Sequence, residues 1–311
     1  MNMQNPRQVY GETLVELGRE NQNIVVLEAD LSKSTMTCLF EKEFPDRFFE
    51  MGIGEANMTS FAGGLSLTGK IAFTNSFAVF AAGRAYDQIR QGISIPKLNV
   101  KIVGSSAGLS DFGDGATHQS VEDLAIMRAI PNMTVLVPVD GIETRKMTRK
   151  IVDYPGPVYM RLNRHDLPDL FPVEEEWAVG KAYLIRDGKD VVVFANGIMV
   201  SKAIGAAEKL AKEGISVRVV NVSSLKPIHE SEIIKYASDV KGIVTAEEHS
   251  LIGGLASVIT YILRGNPVPI MTIGIADQFG QSAHSYAELL EAYGLTEVNI
   301  INSILKLVGR I

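Results

Sequence analysis

Residues 111–140 read DFGDGATHQSVEDLAIMRAIPNMTVLVPVD. A glycine-rich loop comes first. An amphipathic stretch of helical length, Val121–Ala129, follows, and then a β-branched apolar run, Thr134–Val137, with the character of a buried strand. Loop, helix and strand in that order make one unit of an alternating α/β architecture. Ser120 stands where it can cap the helix, with Asp123 as a variant capping-box partner.

The same alternation extends in both directions. Ile24–Leu27, Val100–Val103 and Val158–Met160 read as strands, as do Val191–Ala195, Val217–Val220, Gly242–Thr245 and Pro269–Ile273. Between them lie helical stretches: Arg7–Arg19, Ala56–Thr68, Ala81–Gln91, Val200–Glu213, Glu230–Ala237, Leu255–Leu263 and Ser285–Ala292. Strands alternating with helices imply parallel sheets covered on both faces. The pattern pauses at Arg164–Ala178, RHDLPDLFPVEEEWA, whose prolines and acidic run have no period and read as a linker. The boundary falls near residue 175. The expected fold class is therefore α/β, with two domains at 1–170 and 178–311, each a mostly parallel sheet flanked by helices.

Composition agrees with a globular chain. Of 311 residues, 46% are apolar and 21% charged, ample for a core. The net charge of −6, with signs interspersed, gives no footprint for nucleic acid. A single cysteine, Cys38, rules out an internal disulfide framework and a cysteine metal cluster. The polar start, Met1–Arg7, is unlike a signal peptide, and no run has the length of a membrane span. A cytoplasmic protein is expected.

Several residues sit where α/β folds place chemistry. The loop at Gly113–Gly115 carries Asp114 and His118 ahead of a helix. Its GDG also occurs in thiamine-diphosphate enzymes, where a later asparagine completes a metal site. Here Asn132 leads straight into a strand, so no metal site is expected. Glu55, in FFEMGIGEANM, opens a helix whose N-terminus favours a carboxylate. Phe77 and Phe80, in FTNSFAVFAAGRAYDQIR, lie at a strand-to-helix junction, where core packing is the ordinary use of such residues. Glu247–His249, EEH, reads as ordinary strand-end polarity, and Glu174–Glu176 as a solvated face.

Taken together, GIGEANM, NSFAVFAAGRAYDQ and DGATHQSVEDLAIMRAIPNMTVLVPVD resemble, in this order, the pyrimidine-binding domain of transketolase. RAYDQ is also similar to deoxyxylulose-phosphate synthase. Downstream, VTAEEHSLIGGLASVI and GIADQFGQSAHSYAELLEAYGLT resemble the C-terminal domain of the same superfamily. The diphosphate-binding domain of a full-length transketolase is not part of the resemblance, which therefore points to the C-terminal subunit of a split transketolase. It implies thiamine diphosphate as cofactor, with Mg2+ (or Ca2+) on an N-terminal partner subunit. It also implies a dimer of this chain within an α2β2 assembly, and transfer of a two-carbon ketol unit from a ketose phosphate to an aldose phosphate, as in the pentose phosphate pathway.

The resemblance also implies roles for particular residues. Glu55 matches the glutamate that hydrogen-bonds the cofactor's aminopyrimidine, which is acid–base work. Phe77 matches the aromatic that stacks on that ring, Phe80 a second wall, and Asp30 with Leu31 an acidic-Leu turn near the thiazolium. Asp114 and His118 match residues that grip sugar hydroxyls. Arg7, Ser34 and Arg164 match positions holding the sugar phosphate; Arg84 and Arg161 match phosphate-region arginines by way of the synthase. An arginine fork suits phosphate oxygens. The departures concern the substrate end. Gly104 or Ser105 stands where transketolases have a histidine, Gly54 and Ala56 replace an arginine and a histidine, and the SDFGDG loop is longer. Two rival readings share the architecture: the beta subunit of a 2-oxo-acid dehydrogenase and a non-catalytic paralogue. The second domain is expected mainly to buttress the dimer.

Overall fold

The computed structural model describes residues 2–310, so the expected outer domain bounds, 1 and 311, lie outside it. Its strands are β1 (Met3–Gln4), β2 (Ile24–Glu28), β3 (Phe48–Glu50), β4 (Ile71–Phe77), β5 (Val100–Ser105), β6 (Thr134–Leu136) and β7 (Val158–Arg161). Then come β8 (Leu167–Pro168), β9 (Tyr183–Arg186), β10 (Val191–Ala195), β11 (Val217–Asn221), β12 (Ser224–Lys226), β13 (Gly242–Ser250) and β14 (Ile270–Ile275). They form a seven-stranded sheet in the order β12-β6-β7-β5-β4-β2-β3, a five-stranded sheet in the order β14-β13-β10-β11-β9, and a small pair, β1-β8.

Pairing within the large sheet is parallel except at the edge strand β12; in the second sheet only β9 runs antiparallel. Strands covered on both faces need apolar side chains on both. Accordingly every residue of β2 and of β10 is buried. The sequence is thus a two-sheet α/β protein with helices on the sheet faces, as its alternation implies.

Four local readings are corrected. Ala81–Gln91 is not one helix: Ala78–Gly83 and Tyr86–Gln88 are separate short helices, followed by a wide turn at Ile89–Ser94. Gly83 lowers helix propensity at the break. Ser120 does not cap the next helix, which starts at Asp123 with no side-chain cap; Ser120 is bridged to Gly108 across the neck of the preceding loop. The helix Gly141–Asp153, absent from the sequence reading, is capped by Asp140, which accepts from the Glu143 amide at 2.8 Å. Glu143 in turn accepts from Val139 N–H, one residue before the cap, at 2.7 Å, a capping box displaced by one residue.

The fourth correction concerns EEH. Glu247, Glu248 and His249 are 0%, 6% and 0% exposed. Glu247 accepts from the amides of Leu255 and Ala256 at 2.6 and 2.8 Å, satisfying the start of the helix Leu255–Ile262.

The linker is tied down. β8 pairs with β1, Asp140 accepts from the amides of Leu170 and Phe171 at 2.6 and 2.7 Å, and Phe171 and Trp177 are buried. The two sheets are joined at β12, which follows β11 but pairs with β6. Beside it Asn221 donates to both Glu143 carboxylate oxygens at 3.1 Å. No helix among the described residues is long and apolar enough to cross a membrane.

Candidate active site

The C-terminal ends of β2, β4, β5 and β7 lie side by side in the parallel sheet, the edge where open α/β sheets place ligands. Glu55 is the first residue of the helix Glu55–Leu67, just beyond β3. It is 3% exposed. Ser76 Oγ, near the end of β4, lies 3.5 Å from Oε1, and Arg84 Nη1 donates to Oε1 and Oε2 at 3.2 and 3.4 Å. A helix N-terminus adds fixed positive potential.

Beside this carboxylate stands an aromatic wall. The rings of Phe77 and Phe80 lie 6.1 Å apart and within 12° of parallel. His118 meets both edge-on, at 6.2 and 5.2 Å. The guanidinium of Arg84 lies 4.1 Å above Phe80 and that of Arg164 5.7 Å from Phe77. The loop carrying His118 and the strand-to-helix junction carrying the phenylalanines therefore meet at one place.

Next to the wall is a cationic corner. Arg7, one residue inside a helix that begins at Pro6 and is capped by Asn5, donates to the carbonyls of Ser34 at 2.6 Å and Arg164 at 2.8 Å. Ser34 thus contributes its backbone oxygen here. Burial, reinforced by the neighbouring charge of Arg164, lowers the Arg7 pKa to about 10. Arg7 Nε is buried and has no hydrogen-bond partner among the described residues. Arg164 Nη1 donates to Asp111 Oδ2 at 3.0 Å and Ser106 Oγ at 3.3 Å. Burial raises the Asp111 pKa, although Arg164 opposes the shift. Asp114 is exposed at the start of a short turn, Gly115–Thr117, whose end is His118.

Asp30 and Leu31 follow β2. Asp30 adopts a left-handed backbone, φ 62°, and its amide donates to Glu50 at 2.8 Å. Behind them Glu28 is fully buried and accepts from Thr35, Thr37 and the Ala29 amide. Burial raises its pKa to about 7 against those bonds.

The sequence-derived set is thus largely gathered: Glu55, Phe77, Phe80 and His118 around one wall, Arg7, Ser34 and Arg164 in the adjoining corner, Asp30 and Leu31 on the same sheet edge. Two arginines stand otherwise than expected. Arg84 is the partner of Glu55. Arg161, 5% exposed, has Nε 3.0 Å from Asp123 and donates to the carbonyls of Glu248 and Ser120, so its guanidinium is engaged inside the protein rather than offered to a phosphate. Residues overlooked in the sequence are Ser76, Ser106, Asp111 and Glu28. A carboxylate closing an all-apolar strand, IVVLE, was the available signal for Glu28. Asp111 lies in the lengthened loop, where spacing assigns no partner.

A buried carboxylate beside parallel aromatic rings fits an aminopyrimidine, which presents nitrogens to the one and a flat face to the other. Among the described residues no group of three His, Cys, Asp or Glu is placed to hold a metal ion.

The chain is similar to known proteins over nearly its whole length. Residues 2–169 match the transketolase pyrimidine-binding domain and residues 180–300 the transketolase C-terminal domain. A putative transketolase C-terminal section from Methanocaldococcus jannaschii is 47% identical over 304 residues, 96% of this chain and 95% of that protein. A 6-deoxy-6-sulfo-D-fructose transketolase subunit from a Clostridium species is 41% identical over 298 residues, 96% of this chain and 92% of the other. A solved structure described as a split gene transketolase, inactive beta4 tetramer, superposes with a TM-score of 0.88 at 47% identity, covering 98% of both chains.

Proposed function

Because the chain belongs to the transketolase family, with a pyrimidine-binding domain followed by a C-terminal domain, we propose that it is the C-terminal subunit of a split transketolase. It moves a two-carbon ketol unit from a ketose phosphate to an aldose phosphate, in the cytoplasm. Thiamine diphosphate is bound between this chain and an N-terminal partner subunit that holds Mg2+ or Ca2+. Two of each chain make the assembly. We assign residues 1–170 to the pyrimidine site and 178–311 to the C-terminal domain.

The single observation that carries the reading is the buried Glu55 carboxylate beside the Phe77–Phe80 wall, with His118 edge-on to both rings. When bound, the cofactor supplies the nucleophilic carbon that takes the ketol unit. Glu55 accepts a hydrogen bond from the protonated pyrimidine nitrogen and so fixes where that proton is held. Phe77 and Phe80 orient the ring and exclude water, which strengthens the Glu55 bond. Asp30 and Leu31 would hold the thiazolium end of the cofactor. Asp114 and His118 hold sugar hydroxyls, and His118 moves a proton at the reacting hydroxyl. Arg7, Ser34 and Arg164 hold the substrate's anionic end.

The test is Glu55→Ala in the assembled enzyme. Ketol transfer from a ketose phosphate should fall by at least ~100-fold, the scale of a lost acid–base group, with the assembly unchanged on a sizing column. Retained transfer would remove Glu55 from the mechanism.

A further inference from the structure

The second domain holds the first domain's loop 109–119 at two places, the end of β13 at the loop's neck and the segment 280–283 along its body. Glu248, in β13, places Oε1 2.7 Å from the Leu109 amide, from which it accepts. Gly108, at φ +65°, lies against the same carboxylate. A Cβ there would collide with the Glu248 carboxylate in a left-handed backbone that favours glycine. Gly108 and Ser120 bridge each other through both amides, at 2.9 and 3.1 Å, and close the loop's neck. Arg161 ties the Ser120 side of that neck to the strand, donating to the Glu248 carbonyl and the Ser120 carbonyl, each at 3.0 Å. Asn163 donates to Glu248 Oε2 at 3.3 Å and to Tyr286 Oη at 2.8 Å.

The body of the loop is held by the same domain. Gln119 donates to the Gln281 carbonyl at 3.0 Å, and the Ala283 amide donates to the Phe112 carbonyl at 2.9 Å. The ring of His165 stacks on Tyr286 at 4.5 Å and lies 5.6 Å from Phe112. The two domains are already docked elsewhere, through β12 on β6 and Asn221 on Glu143, so Glu248 is not needed to hold them together. Its carboxylate accepts from Leu109, at the neck of the segment carrying Asp111, Asp114 and His118, and from Asn163.

We propose that Glu248 is a positioning residue for this loop, through which the second domain sets the geometry of the side chains that face the sugar. The C-terminal domain then has a part in substrate binding beyond support. The assignment of the loop to a sugar rests on the function proposed above; the mechanical link does not.

Hydrogen exchange on the full chain tests the link. Glu248→Ala should speed exchange of the amides in 107–119 about tenfold or more, the effect of losing a buried hydrogen bond at the neck. β4 and the β6–β12 junction should stay as in wild type. Glu248→Gln, which keeps an acceptor for Leu109, should restore slow exchange. If the alanine variant does not fold, Glu248→Asp, with the carboxylate withdrawn by one methylene, should show the same local increase. In the assembled enzyme Glu248→Ala should raise KM for the ketose donor more than it lowers kcat and leave cofactor affinity unchanged. Unchanged loop exchange, or an equal increase at the β6–β12 junction, would overturn the proposal. A wild-type enzyme without ketol transfer would instead remove the functional reading while the exchange result still decides the role of Glu248.

Discussion

Arg84 lies over the Phe80 ring with its guanidinium between the solvent and Glu55; its side chain is 51% exposed and that of Glu55 3%. Nearly all the desolvation in the pair falls on the carboxylate. Removing the arginine leaves a buried charge with only the long contact to Ser76. Because Arg84 itself is half exposed, the expected cost of Arg84→Gln is about 1 kcal/mol, below that of breaking a fully buried pair. A double-mutant cycle with Glu55→Gln, read by chemical denaturation, should show coupling of that size. Additive single effects would mean the pair is not formed in solution. Site legibility at this scale divided by what spacing can carry. The order of motifs placed Glu55, Phe77, Phe80 and His118 near one another. It does not say which way a long guanidinium turns, so the phosphate role that the resemblance implies for Arg84 and Arg161 misses their partners, Glu55 and the Glu248 carbonyl. Asp111, the counter-ion of Arg164, lies in a lengthened loop with no positional precedent.

At the scale of elements, continuous β-branched runs were legible because central parallel strands are buried on both faces. Short edge strands such as β3, β9 and β12 carry too few residues for a period, and β12 owes its place to a partner in the other domain. The helix Gly141–Asp153 was hidden by its polar sequence, GIETRKMTRKIVD, yet Asp140 and Glu143 spell its capping box. That Glu143 is also the joint between the domains. Burial raises its pKa from 4.5 to about 8, against the bonds from Ser223, Val139 and Asn221 and with the nearby Asp140 adding to the rise. Glu28, Glu247 and Glu248 are each raised to about 7, chiefly by burial.

A carboxyl whose folded pKa is raised favours the protonated native state. Its contribution is complete below the unfolded value and is lost as pH rises through the folded one. The melting temperature should therefore decline from about pH 5 to pH 8, and Glu143→Gln, uncharged throughout, should flatten that decline. His249 works oppositely. Its pKa is lowered to about 4 by burial, so its contribution is lost as pH falls through that value. A wild-type melting temperature that rises steadily from pH 5 to 8, or an unaltered slope in the variant, would contradict this account of the joint.

At the scale of the whole molecule, the candidate groups line one edge of one sheet. They comprise a buried carboxylate, a pair of near-parallel aromatic rings and an adjoining corner of arginines. The chain of the solved split gene transketolase, similar over 98% of its length, is described as an inactive beta4 tetramer. The measurement that tests the central claim most directly is native mass spectrometry of the protein taken from its source with cofactor retained. The account predicts a complex containing a second, diphosphate-binding chain together with thiamine diphosphate and a divalent metal, and a purified single chain that retains neither. Recovery of this chain only as a homo-oligomer, without companion or cofactor, would contradict it.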